Sequence, residues 1–490
     1  MHPQSGLRPG RHCHALPGRQ GGQSLVYALF WLTGGLAALF FLFHTGQAVQ
    51  HKTRLVNAAD AVALSAGHLQ ARALNVAALH NRALLANEVI IAQMVGIASW
   101  SGYARTHAQQ VPVVHPECQD PDPAGAGTGA LFKYGPAYAL MCYLTVQAGG
   151  MAWASGASTL SQRAALWAAD AERYKLAIQQ AQAQLFAPAS WDEARSALMH
   201  TVARANLPRQ PHVRVDAIED RSAHRHWQGH TSWRTADARE PLATLARQAV
   251  AEDAFSRSRR WTARALLPTP ECYPALAFDR YNEVRRRGST ELIGLDEWRA
   301  VDSESFHSWR LHKGKNLLPT CRPNESPTGW GTQAAQGPGA SAPTPGPDFA
   351  GSATDNQLAH GMASTQAWAF YTGIPVYRSL SDAALADADS RLPLTVRVAL
   401  APPQLPMPAL DPASLLNAYA AQWAQNEMAA LSSVEVFFER PFDHPHNLWG
   451  LRQGKPQESP SLFNPFWHAR LVPVAPSLLG VAAQATGGTP

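Results

Sequence analysis

Three histidines within seven residues, His224, His226 and His230, and a pair around Pro445, His444 and His446, are the side chains of this chain best spaced for metal chemistry. Offsets of two and four set imidazoles on one strand or helix face, as a zinc site needs, but no cysteine or paired carboxylate stands nearby to complete the shell. With 20 histidines in 490 residues such groupings arise by chance, so no metal site is expected. No Gly-x-Ser-x-Gly elbow, His-Glu-x-x-His pair or glycine-rich phosphate loop occurs either. Asp170, Glu172, Asp192 and Glu193 read as solvated helix positions rather than catalytic acids. These observations predict no catalytic residues, no cofactor and no small-molecule substrate. A periplasmic hydrolase is the least favoured reading.

The cysteines carry a second kind of chemistry. Cys13 lies near the N-terminus, and Cys118, Cys142, Cys272 and Cys321 lie far beyond it. Four oxidisable thiols allow three pairings, between which sequence does not choose. Cys118–Cys142 and Cys272–Cys321 are favoured because each closes a local loop, contributing about 3 kcal/mol. No Cys-x-x-Cys is present to suggest redox exchange or a zinc ribbon.

Charge excludes little. Lys and Arg number 41 against 36 Asp and Glu, a net +5, which demands neither nucleic acid nor an acidic substrate. The densest basic patch, Arg257, Arg259, Arg260, Arg264, Arg285, Arg286 and Arg287, with Trp261 and Tyr281 among it, reads as a solvated helix face, and no nucleic-acid partner is expected. Tryptophan is frequent, at 15. Trp227, Trp233, Trp261, Trp298, Trp309, Trp330, Trp368, Trp423, Trp449 and Trp467 either fill cores or form an aromatic contact surface, the second option describing an anchored adhesin or binding protein.

The element that must position all of this begins at the N-terminus. No formal charge occurs between Arg19 and Lys52, and Leu25 to Phe43 is apolar apart from Thr33. At about 1.5 Å per residue that run crosses a hydrocarbon core of roughly 30 Å. Gly46-Gln47-Ala48 offers a cleavage site, but the run is longer than a signal peptide's, so a retained anchor is expected. Arg8, Arg11 and Arg19 before the span, against Lys52 and Arg54 after it, predict a cytoplasmic N-terminus and a periplasmic bulk.

Beyond the span Ala58, Val62, Ser65, Leu69, Ala73, Val76, Leu79 and Leu84 recur at helical spacing, with no proline before Pro112. The expected fold class is α+β: a single transmembrane helix continuing into a long amphipathic helix, then a mixed α+β periplasmic module. The expected parts are a leader at 1–22, the anchor at 23–44, a helical stalk at 45–105, a helical region with a disulfide loop at 106–210, a mixed α+β region at 211–321, a flexible linker at 322–356 rich in Pro, Gly, Ser and Thr, and a C-terminal α+β region at 357–490. Ala137 to Phe186 is expected as a second helix, antiparallel to the first. Val213–Val215, Leu292–Leu295, Ser305–Leu311, Ala367–Val376, Leu394–Leu400 and Val434–Phe438 are expected strands, and Pro412–Leu431 a helix.

Arg19-Gln20-Gly21-Gly22-Gln23-Ser24-Leu25-Val26 leading into the span, then Thr53-Arg54-Leu55-Val56-Asn57-Ala58-Ala59-Asp60-Ala61-Val62-Ala63-Leu64, resembles the N-terminal segment of TadE/TadG-like Flp pilus-assembly proteins over about residues 19–67. Asn81-Arg82-Ala83-Leu84-Leu85-Ala86-Asn87-Glu88 and Leu462-Phe463-Asn464-Pro465-Phe466-Trp467-His468-Ala469-Arg470-Leu471 are similar to larger TadG-like members. The resemblance implies an inner-membrane component of a Tad/Flp-type pilus or related secretion apparatus, with pilin-like subunits or other assembly proteins as partners. Asn57, Ala58, Ala59, Asp60, Ala63 and Ala66 are the candidate helix-interface residues. Their small side chains would admit either a partner helix or the protein's own exterior. Processed pilins of this system carry a Glu where Tyr27 stands, which implies an uncut chain. Some relatives carry a metal-dependent adhesion site of the form Asp-x-Ser-x-Ser, but Asp302-Ser303-Glu304-Ser305 has Glu304 where the first serine belongs.

Overall fold

Nothing between Gln23 and Val111 interrupts a helix, and in the computed structural model one helix, α1, runs Gln23–Val114 for 92 residues. That is about 140 Å at 1.5 Å per residue. The structure describes residues 23–119, 133, 135, 136, 139, 142, 145, 150–208, 210, 212–219, 225–313, 319–340, 351–364, 366–387, 390–400, 428–440 and 458–478. The leader at 1–22 and Cys13 lie outside these.

Along α1 the environment changes abruptly. Its most apolar stretch has mean hydropathy 2.1 and no buried residue, which makes it long and apolar enough to cross a membrane. From Leu55 onward the helix is enclosed, and each hydrophobic cluster among the described residues contains α1 side chains. Leu55, Leu74, Leu84 and Ile91 are fully buried, each stabilising by roughly 1.5–3 kcal/mol. Val76 and Leu79 of the periodic stripe stay exposed, because the sheets approach from other sides of the helix.

Two further helices return along α1. Helix α2 (Gly150–Leu185) and helix α3 (Pro188–Asn206) are separated by Pro188, which has no amide hydrogen to extend α2 and instead begins α3. Ala164 and Ala168 pack by Met94 and Ala98, Gln182 reaches Asn81, and Met199 and Ala203 pack by Leu55 to Ala66, so the returning pair is antiparallel to α1 as expected.

The strands make three sheets. Strands β1 (Val213–Ile218), β9 (Leu392–Leu400), β10 (Met428–Phe438) and β11 (Trp467–Val472) pair antiparallel in the order β1-β9-β10-β11 and cover the start of the enclosed helix. Strands β2 (Thr231–Arg234) and β8 (Tyr377–Leu380) form a ribbon. Strands β3 (Trp261–Arg264), β4 (Glu283–Ile293), β5 (Glu297–Lys313), β6 (Pro319–Gln336) and β7 (Ala367–Trp368) form the third sheet, antiparallel except for β6–β7. Helix α4 (Glu240–Glu252) buries Leu242, Ala243 and Ala246 against Trp298 and Tyr371.

Three expectations are corrected. Residues 322–336 of the supposed linker are strand β6, and Ser352–Asp355 is a helical turn, while 341–350 lies outside the described residues. Composition misled because the small residues of β6 serve a close approach: Gly102 and Gly331 meet where a Cβ on Gly102 would lie 3.2 Å from the Gly331 Cα. Thr106 on α1 both donates to the Trp330 carbonyl (2.6 Å) and accepts from its amide (2.7 Å). Residues 428–431 of the supposed C-terminal helix belong to β10, the remainder lying outside the described residues. Of Ala367–Val376 only β7 is strand, since the chain turns through Gly373 at φ 87°.

Substituting Gly331→Ala would drive a methyl into the Ser99 carbonyl and the Tyr103 amide of α1. The expected loss is about 1–3 kcal/mol of unfolding free energy in detergent, whereas Gly361→Ala, facing open space, changes it by less than about 1 kcal/mol. Equal denaturation midpoints for the two variants would refute a tight helix–strand seam.

Candidate interaction site along the anchor helix

The candidate interface residues divide by face. Ala58, Ala59, Ala63 and Ala66 are fully buried against Leu394, Val396 and Val398 of β9, Val434 of β10 and Met199 of α3. Asn57 is exposed and Asp60 half-buried. The alanine face is therefore covered by the protein's own sheet rather than left for a partner helix. The physical reason is that small side chains let a sheet with branched Val and Leu interlock with the helix at short range.

The two downstream motifs, hundreds of residues apart, come together on α1. The Asn75 side chain donates to the Trp467 carbonyl (3.0 Å) and accepts from its amide (2.9 Å), so it substitutes for a neighbouring strand at the start of β11. Asn81 donates to the carbonyls of Leu462 (2.7 Å) and Arg378 (2.8 Å) and accepts from Gln182 (2.7 Å). One amide thus ties α1 to α2, β8 and the Leu462 segment.

Two turns further on, Glu88 is fully buried and forms an ion pair with Lys175 of α2, itself fully buried. Its other oxygen accepts from Trp298 Nε1 (2.8 Å) and Tyr371 Oη (2.9 Å). Lys175 also donates to Glu172 (2.8 Å) and to the Gly373 carbonyl (2.9 Å), and its ammonium lies 4.5 Å from the centre of the Tyr371 ring. Glu172 is consequently buried and not the solvated position expected. Burial and the adjacent Glu88 carboxylate push the Tyr371 phenol well above its ordinary value, so it stays a donor.

A second polar centre lies farther along the helix. Asp302 accepts from Ser99 Oγ (2.5 Å), from Arg259 Nε (2.8 Å) and from Arg286 Nη2 (2.7 Å). Glu304 accepts from Tyr103 Oη (2.7 Å) and Thr328 (2.8 Å), and His107 Nδ1 is 2.9 Å away. The Arg286 guanidinium stacks 3.5 Å from the Tyr103 ring centre. Burial works to raise both acids, but Arg259 and Arg286 around Asp302, and His107 and Tyr103 around Glu304, hold them below the ordinary carboxylate range.

These contacts correct the reading of the basic patch, which is not a helix face. Arg259 and Arg286 neutralise Asp302, Arg287 pairs with Asp355 (2.6 Å), and Arg285 pairs with Glu283. Asp302 is locked between two guanidiniums, which leaves no room on it for a cation.

The remaining candidates disperse. His226 flanks a helical turn, His230 is buried against Trp467 with ring centres 5.6 Å apart, and His224, His444 and His446 lie outside the described residues. Among the described residues no three potential metal ligands converge. Trp227, Trp298 and Trp467 are buried, Trp227 stacking on Trp191 at 3.8 Å, while Trp423 and Trp449 lie outside the described residues. Trp233, Trp309, Trp330 and Trp368 are half-buried, and Trp261 is exposed. A Ser352–His360 contact (3.0 Å) escaped sequence reading, but Ser352 is fully buried and also bonds Ser303 (2.7 Å), so its hydroxyl meets no substrate.

Both favoured disulfides are present, Cys118–Cys142 with Cα atoms 5.6 Å apart and Cys272–Cys321 at 5.5 Å. The first seals the distal end of α1 beside Val111 and Phe306.

The geometry defines a class of protein in which one membrane-competent helix is also the spine of an α+β exterior. Its N-terminal segment is of the TadE/G-like Flp pilus-assembly type: the family model described as putative Flp pilus-assembly TadE/G-like matches residues 22–73, which cover the span and the first enclosed turns of α1. No curated protein and no solved structure matches the chain.

Replacing Glu88 by Ala leaves Lys175 with Glu172 as its one carboxylate and leaves the buried Trp298 Nε1 and Tyr371 Oη without their acceptor, and the expected cost is about 2–4 kcal/mol of stability, larger than for Glu88→Gln, which retains an acceptor for Trp298 and Tyr371. Chemical denaturation of the two variants checks the order. Burial also lowers the His307 and His80 imidazoles below their ordinary 6.5. A depressed folded-state value means the associated stability is complete above pH 6.5 and is lost as pH falls through the folded value, with Asp302 and Glu304 adding a further loss in the acid range. The thermal midpoint should therefore fall on acidification from pH 7, and His307→Asn should shrink the first step. A flat profile down to pH 5 would contradict this.

Proposed function

We propose that this protein is a non-enzymatic, membrane-anchored component of a Tad/Flp-type pilus assembly or related secretion apparatus. The observation that carries the reading is the continuity of α1, in which the segment matched by the pilus-assembly family model enters the exterior without a hinge. A helix that is both span and core transmits position and torque between bilayer and exterior, which suits a scaffold in an assembly machine better than a tethered enzyme. The positive leader, with Arg8, Arg11 and Arg19, favours a cytoplasmic N-terminus, an inner-membrane anchor and a periplasmic exterior.

Because the alanine face is occupied, pilin-like or assembly partners meet α1 elsewhere. The apolar span is such a surface: Leu25, Leu32, Leu36, Leu39 and Phe43 are all exposed, and Gly34 and Gly35 leave open space for a second helix. Tyr27 in place of an acidic residue supports an uncut chain that stays in the membrane.

Exchanging residues 25–43 for an unrelated polyleucine span tests the assignment. The expected result is full membrane retention with loss of piliation and of co-purified assembly proteins. Retained piliation with the foreign span would refute partner packing in the bilayer, and normal piliation on deletion of the whole chain would refute the assembly role.

A further inference from the structure

The end of the molecule farthest from the span carries an exposed apolar and basic tip. Strand β5 runs in the same direction as α1, as its contacts record: Trp298 meets Glu88, Asp302 meets Ser99, Glu304 meets Tyr103 and Phe306 meets His115. Pairing with β4 stops at His307, so β5 continues with β6 as a two-stranded ribbon to Lys313 and Pro319. Residues 45–114 of α1 alone extend about 105 Å at 1.5 Å per residue, and the ribbon leads on past the end of that helix.

Beside the ribbon lies a hairpin in which the Ala265 amide donates to the Asn282 carbonyl (2.8 Å) and the Thr269 amide to the Arg280 carbonyl (2.7 Å). Its turn, Pro270–Ala275, is joined to the ribbon by Cys272–Cys321. On this clamped tip Leu266, Leu267 and Phe278 are more than half exposed, and Leu276 is 81% exposed on a left-handed backbone with φ 55°. Arg310 and Arg322 stand directly opposite each other across the ribbon, both exposed and neither with an acidic partner among the described residues. Like charges so placed repel, and an anionic ligand bridging them removes the repulsion. The exposed acids nearby are Glu271 and Asp279, the latter 3.2 Å from Arg280.

We propose that this tip docks on an anionic phospholipid surface facing the membrane that holds α1, so that the protein bridges two bilayers. A protein partner would have to offer a cavity for each projecting leucine. A bilayer accepts protruding apolar side chains at its acyl boundary and guanidiniums at its phosphates at once. The inference rests on the tip and on the reading of α1 as a membrane span, and does not require the pilus role.

Flotation tests it with the full-length chain held in neutral phosphatidylcholine nanodiscs and mixed with vesicles. The discs should float with vesicles containing phosphatidylglycerol and not with phosphatidylcholine vesicles, and empty discs should float with neither. Leu276→Asp with Phe278→Asp should weaken capture about tenfold. Arg310→Gln with Arg322→Gln should weaken it about fivefold per arginine and flatten its salt dependence. Both double variants should keep the Cys272–Cys321 bond by mass spectrometry and the parent's melting temperature, since the altered side chains are exposed. Failure of the parent chain to float with anionic vesicles, or unchanged capture by both folded variants, would overturn the proposal. Vesicle-independent binding of a purified assembly protein that these variants abolish would overturn it in favour of a protein-docking tip.

Discussion

Helix α1 carries into the interior a row of polar side chains whose partners come from distant parts of the chain. Asn75, Asn81, Glu88, Ser99, Tyr103 and Thr106 each bond a group contributed by a segment far away in sequence. An unmet buried amide costs on the order of 1–3 kcal/mol and an unmet buried charge more. The helix therefore acts as a template that penalises any other register of the strands laid on it.

This dependence explains why the exterior is one body despite its three sheets. Apolar burial alone would permit β10 or β6 to slide along a helix made largely of alanine, because neighbouring small side chains are nearly interchangeable. The Asn75–Trp467 pair fixes the first sheet, and the Glu88–Trp298 and Ser99–Asp302 contacts fix the third. Gly102 and Gly331 then set the separation, since any side chain there would force the backbones apart. Specificity comes from polar groups and close approach, and stability from the aliphatic clusters between them.

With a helix long and apolar enough to cross a membrane, the arrangement has a mechanical consequence. A flexible linker between an apolar helix and a folded part would dissipate rotation of the helix before it reached that part. Here the residue before the enclosed stretch and the residue after it belong to the same hydrogen-bonded cylinder. Displacement of the apolar end of α1 would be carried along the helix toward β5 and β6. The small-residue motif, Asn57 to Ala66, contributes by sealing α1 to β9 and β10 just beyond the span.

Much of this architecture is written in local sequence. An uncharged apolar run, an absence of proline before Pro112 and a helical recurrence of alanine and leucine marked α1 up to its last turn, because helix formation and membrane partition depend on neighbours within a few turns. Loop-closing spacing pointed to both disulfides, and alternation marked β1, β9 and the end of β10. What local pattern does not encode is which face finds which partner. The glycine- and threonine-rich β6 looked like linker because its stabilising contacts are backbone approaches to a helix more than two hundred residues earlier. Glu172, Arg259 and Arg286 looked solvated because a charge announces nothing about the opposite charge that will bury it. The alanine face of α1 was open to a partner or to the protein itself. Only the tertiary structure decided it, by laying β9 and β10 on that face, an intrachain contact that gains from the effective concentration of segments held on one chain.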